Sequence, residues 1–343
     1  MSTEAIDFKQ LLTSEKMKAI TLKKYIPCKS WDVYNMLQDL RHVALIDLRP
    51  YAEFSEGYIR DSYNFNVTVK DSLIGVIEYL NKCSKKAEEN ELKYESKKIR
   101  RVIVIPPARN EEAYKTSFEA VLALAASYEI DLDKVYILTD TIADFRVEFD
   151  FLCLNAEDKK QVQAANDMPN KSEALKQPAM KKLLFAHSRF PVMLLETQLF
   201  VGTGFNMNSD KQMRELKIKS AIHFDTYPVV KGEDCPEETT FQRKTMPELE
   251  VLSIKVNVQK YIDFDSIVEQ IRELPSPRLL CCSQNMKISS TFAIAYLMVV
   301  QKMDVNKASL IVFSKIGSTE ADKLIFAQLM LYQPDDKKRF IKI

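Results

Sequence analysis

Leu279-Leu280-Cys281-Cys282-Ser283-Gln284-Asn285-Met286-Lys287-Ile288-Ser289-Ser290-Thr291-Phe292-Ala293-Ile294-Ala295-Tyr296-Leu297-Met298 decides how this chain is read. The apolar start reads as a buried strand, the polar middle as a loop, and the run from Ser289 as a buried helix. Such a layout sets a thiol, Cys282, at the amino end of a helix, where the peptide dipoles favour negative charge. Successive strand residues face opposite ways, so Cys281 and Cys282 are not expected to bridge.

Outward from this stretch the same alternation of strand and helix recurs. LFVG, SAIHF and LEVLSIKV read as further strands of the second half, and FDSIVEQIREL, VNKASLIVFSKI and EADKLIFAQLMLYQ as helices. Residues 41 to 153 alternate the apolar runs VALIDL, RVIVI and KVYIL with periodic helical stretches, which predicts a parallel sheet covered by helices. At roughly 150 residues per domain, the 343 residues predict two domains. The polar text between them, with no apolar periodicity, predicts a linker over 155–186.

Lysine plus arginine (49) nearly balance aspartate plus glutamate (48), so no net field favours nucleic acid or an anionic membrane. The six cysteines are scattered without CxxC pairs and the first residues form no apolar signal core, which implies free thiols in a reducing cytoplasm. No apolar run reaches the roughly 18 residues needed to insert in a membrane. His42, His187 and His223 lack metal spacing, so no metal or other cofactor is expected.

In the first half, Ala44-Leu45-Ile46-Asp47-Leu48-Arg49 reads as a buried strand ending in Asp-x-Arg, with Glu53 four residues later. These charges are expected to form a local ion-pair cluster pinning strand to loop. Continued through Gly57-Tyr58-Ile59-Arg60 to Asn64-Phe65-Asn66, the pattern resembles the rhodanese fold, specifically the rhodanese-like docking domain of the MAP kinase phosphatases. That resemblance implies a cysteine after the strand Arg101-Val102-Ile103-Val104-Ile105, where this chain has Pro106, with neither thiol nor N–H. Sulfur transfer is therefore not expected. Lys97, Lys98, Arg100 and Arg101 read either as a kinase-docking group beside apolar anchors or as a solvated edge. The family's docking arginines would fall near Lys70.

The second half resembles the dual-specificity phosphatases, through Leu199-Phe200-Val201-Gly202 and through the strand, loop and helix quoted above. Laid on that family's His-Cys-x5-Arg-Ser signature, Cys282 takes the nucleophile, Ile288 the arginine and Ser289 the serine. An aliphatic chain has no fork of donors to hold two phosphate oxygens, and Lys287 is a flexible point charge one position early. Asn285 stands at the loop glycine, and Val258 at the general acid; Asp263 and Asp265 are expected to begin a helix.

Together the two halves resemble the serine/threonine/tyrosine-interacting-like pseudophosphatases, although those usually keep the arginine and lose the cysteine. The implied architecture is α/β: a rhodanese-like parallel sheet (25–154), the linker (155–186) and a dual-specificity-phosphatase-like domain (187–335). The resemblance implies no enzyme but a scaffold binding proteins, in a cytoskeletal or ciliary assembly or with a kinase. The rival is a weak phosphatase or thiol-redox protein using Cys282.

Overall fold

The computed structural model describes residues 24–38, 43–65, 75–80, 82–83, 98–127, 131–168, 170–195, 198–227, 239–246, 248–283, 286–316 and 321–332. The chain divides into two compact units, Met1–Ser188 and Arg189–Ile343.

The first unit contains β1 (Ile26–Cys28), α1 (Ser30–Gln38), β2 (Val43–Asp47), α2 (Tyr51–Glu56), β3 (Tyr58–Ile59), β4 (Ser62–Asn64), β5 (Lys98–Ile105), α3 (Glu111–Ser127), β6 (Asp131–Leu138), α4 (Ile142–Phe149) and β7 (Cys153–Leu154). Its sheet runs β1-β6-β5-β2-β4, with parallel pairing throughout. Every residue of β2 is buried, as are Val102 to Ile105 of β5. Strands covered on both faces need apolar side chains on both, which is why they read as unbroken runs. On one face Ala44, Ile46, Val102, Val104, Phe118 and Val121 pack together. Elsewhere Tyr34 of α1 stacks on Phe149 of α4, with ring centroids 4.8 Å apart.

The stretch expected to be a linker is helical instead and belongs to this unit: α5 (Ala156–Asn166), α6 (Lys171–Ala174) and α7 (Pro178–Ala186). A capping box starts α5, Asn155 accepting from the Asp158 N–H and Asp158 from the Asn155 N–H. Lys182 of α7 reaches the Asp158 carboxylate at 2.8 Å, and Ala165, Ala174 and Met180 form a small buried cluster. The apolar periodicity failed as a guide because α5 buries only an alanine.

The second unit contains β8 (Val192–Leu195), β9 (Leu199–Thr203), α8 (Gly204–Met207), α9 (Asp210–Glu215), β10 (Ser220–Thr226), β11 (Thr240–Met246), β12 (Leu249–Val256), α10 (Phe264–Arg272), β13 (Arg278–Cys282), α11 (Lys287–Gln301), α12 (Val305–Ile316) and α13 (Lys323–Leu331). Six strands form one sheet in the order β11-β12-β10-β13-β9-β8. Its four middle strands are mutually parallel, and β8 and β11 run antiparallel at the ends. Residues Ser289 to Met298 of α11 are all buried, so this helix is the centre of the core rather than one wall of it. Phe292 stacks on Phe224 of β10 with ring centroids 4.2 Å apart. In α10 the buried positions Phe264, Ile267, Val268 and Ile271 form one helical face.

Candidate functional site

In the second unit β13 delivers Cys282 to the amino end of α11, and the fifteen residues of that helix point their peptide dipoles at it. The thiol is 2% exposed and lies 3.6 Å from the Ser289 hydroxyl. That hydroxyl also reaches the carbonyls of Gly202 and Met286, each at 3.3 Å. With one proton to give, Ser289 can donate to one of these three neighbours at a time, and while it serves a carbonyl it can accept the thiol hydrogen of Cys282.

Gly202 is held there by close packing: a Cβ on it would meet Asn206 Oδ1 at 2.6 Å. That oxygen accepts the Thr203 N–H at 2.8 Å, while the Asn206 amide donates to Gln212 and to the Arg189 carbonyl, both at 2.9 Å. This buried amide network, which fixes β9 beneath the thiol, was missed in the sequence; its signal was an asparagine placed to close a capping turn after Gly202.

Of the residues aligned with the phosphatase signature, Cys282 and Ser289 come together. Ile288 is half-buried and packs against the hydrophobic core, and Lys287 is exposed. Asn285 lies outside the described residues. Val258 belongs to the same core, 8% exposed. Asp263 caps α10 by accepting the Ser266 N–H at 3.1 Å, and Asp265 accepts from the Tyr332 hydroxyl. Ser283 is exposed and its hydroxyl stands 3.3 Å from His223 Nε2, a polar pair at the loop that sequence alone did not bring together. Cys281 faces elsewhere, its sulfur 3.5 Å from the Ile222 carbonyl and 3.7 Å from Met207 Sδ, and burial pushes its thiol up.

In the first unit, Arg49 clamps Asp47 with Nη2 2.7 Å from Oδ2 and Nε 3.0 Å from Oδ1, and carries a further bond from Nη2 to the Gly57 carbonyl. Asp47 is wholly buried, and burial pushes its carboxyl up against the pull of Arg49. Glu53 was expected to join this cluster; among the described residues it forms no ion pair with Arg49 and instead lines an adjoining cavity of about 240 Å³. Pro106 is buried where β5 ends at that cavity, with Arg109 and Asp140 on the other walls. The guanidinium of Arg49 is committed to Asp47, and that of Arg109 stands 3.4 Å from Asp144. Lys98, Arg100 and Arg101 lie within β5, between β6 and β2, whereas Lys97 and Lys70 lie outside the described residues.

Among the described residues no group of three or more His, Cys, Asp or Glu could hold a metal ion, and no helix is long and apolar enough to cross a membrane.

No family model and no curated protein matches the chain. Solved structures similar to it include the crystal structure of DUSP15 (15% identity over 42% of this chain and 87% of that one, TM-score 0.34). The crystal structure of human DUSP28 is 17% identical over 42% of this chain and 92% of that one, with a TM-score of 0.32. A leucine rich repeat and phosphatase domain containing protein from Entamoeba histolytica is 16% identical over 41% of this chain and 88% of that one, with a TM-score of 0.31. The expectation that the chain is no enzyme does not stand, because the residues at 258 and 288 do not by themselves establish inactivity.

Proposed function

We propose that this chain works by binding other proteins, through a surface on its second unit. The observation that supports this is helix α13. Ile325 and Leu329 are buried on its inner side, yet Leu324 (52%), Met330 (51%) and Leu331 (86%) are exposed. Ala327 is exposed between them, so apolar residues recur at the three- and four-residue spacing of one helical face. A helix apolar on both sides is ordinarily covered on both, and such a stripe on a globular unit marks a site of protein contact. Docking of a kinase through Lys98, Arg100 and Arg101 has no comparable support, because those residues lie within a central strand.

The test compares proteins crosslinked to and captured with the intact chain and with its Leu324→Lys, Leu331→Lys double variant. The expected result is a defined set retained by the first and lost by the second. An unchanged set overturns the reading, as does a set no richer than that on bare resin.

A second reading rests on the contact between Cys282 and Ser289 at the start of α11. In it the Cys282 sulfur, deprotonated by water, bonds to phosphorus as the ester P–O bond breaks and the leaving oxygen takes a proton from water; a second water then displaces the sulfur and frees phosphate, with the Ser289 hydroxyl donating to the sulfur. Turnover of para-nitrophenyl phosphate that falls to background in Cys282→Ser would support it, and turnover indifferent to that change would sink it.

A further inference from the structure

Strand β11 ends the six-stranded sheet, and among the described residues its one strand partner is β12. Residues Thr240 to Lys244 of this seven-residue strand are all exposed, on alternating faces. An edge of that length presents a row of backbone N–H and C=O groups to any further strand. Its middle carries two adjacent cations. Arg243 leans onto α10, bonded to Gln270 at 3.0 Å and paired with Glu273, and Lys244 points to the opposite face because side chains alternate along a strand.

We propose that β11 accepts, as an added strand, an extended acidic segment of another protein. This rests on the protein-binding reading above and names the chemistry of one partner. The charges choose among occupants. A second copy of the chain, pairing antiparallel through the middle of β11, would set Arg243 against Arg243 or against Lys244, and like charges directly opposite destabilise a pair of strands. Cations on an edge keep like edges apart. The same cations admit a strand whose carboxylates fall on neighbouring positions, one on each face, and main-chain bonds along the edge supply the rest of the affinity.

The test uses the purified full chain and two fluorescein-labelled peptides of about twelve residues, alternating pairs of valines with pairs of glutamates or with pairs of lysines, so that neighbouring charges fall on both faces of the strand. The glutamate peptide is expected to bind at least about tenfold more tightly at low salt, with the difference shrinking as salt is added. The Arg243→Glu, Lys244→Glu variant should invert the preference. Because the first of those changes sets a new carboxylate beside Glu273, Lys244→Glu alone is measured too and should abolish the preference, with melting temperature followed for both. Equal binding of the two peptides, binding of neither, or a preference that survives the reversal would overturn the proposal. So would a dimer in sedimentation that either variant dissolves, since the occupant would then be a second copy. Loss of peptide binding with capture through α13 intact would remove this partner and leave the broader reading standing.

Discussion

The two units set their buried polar groups differently, the first as a charged pair and the second as a thiol beside a hydroxyl. In the first, Asp47 and Arg49 form a buried bidentate pair, and Pro106 lines the adjoining cavity. In the second, Cys282 and Ser289 lie side by side, while Ile288 packs against the core. The difference lies in what each pair is tied to. Arg49 is tied at once to Asp47 and to the carbonyl of Gly57, so it joins the end of β2 to the end of α2. Cys282, 2% exposed, lies against a hydroxyl that also reaches the carbonyls of Gly202 and Met286, so its contact is neutral where that of Arg49 is charged.

Breaking the charged pair should therefore have the largest effect. Arg49→Met leaves the wholly buried Asp47 without its counter-charge, and urea unfolding is expected to show a loss of about 3–5 kcal/mol. A loss below about 1 kcal/mol would place that pair among exposed ones and erase the contrast. In the second unit, Gly202→Ala pushes a methyl group to 2.6 Å from Asn206 Oδ1 beneath the thiol; a cost of about 1–3 kcal/mol is expected, read as a lowered melting temperature. Smallest is Thr141→Ala, beside the cavity of the first unit. Thr141 accepts the Asp144 N–H to begin α4, and losing that cap should cost about 1 kcal/mol without moving the second unit's transition.

What was legible in the sequence was what burial writes twice. Strands β2 and β13 and residues Val102 to Ile105 of β5 are covered on both faces and appear as apolar runs, and α11 is covered all round from Ser289 to Met298. The thiol and its serine were readable because a strand, a loop and a helix in sequence order bring them together. The helices over 156–186 were not, since a capping box, a proline at the first turn of α7 and one ion pair leave no apolar period, and their buried cluster of Ala165, Ala174 and Met180 takes one residue from each helix. Strand β11 left no signal for a related reason: Thr240 to Lys244 are all exposed, so their side chains have no apolar pattern to keep. Nor did the sequence join His223 to Ser283, because they lie 60 positions apart and meet only when β10 pairs with β13.

The position of β13 also governs when the second unit can take shape. It is the last strand of its sheet in chain order and yet lies between β10 and β9, so the sheet stays in two pieces until residues 278–282 are available. During synthesis, the hairpin of β8 and β9 and the trio of β10, β11 and β12 wait with open inner edges while the first unit is already complete at Ser188. The segment that carries Cys282 is therefore the keystone of assembly. Chains ending before it would hold exposed strand edges for chaperones to cover, whatever the thiol does afterwards.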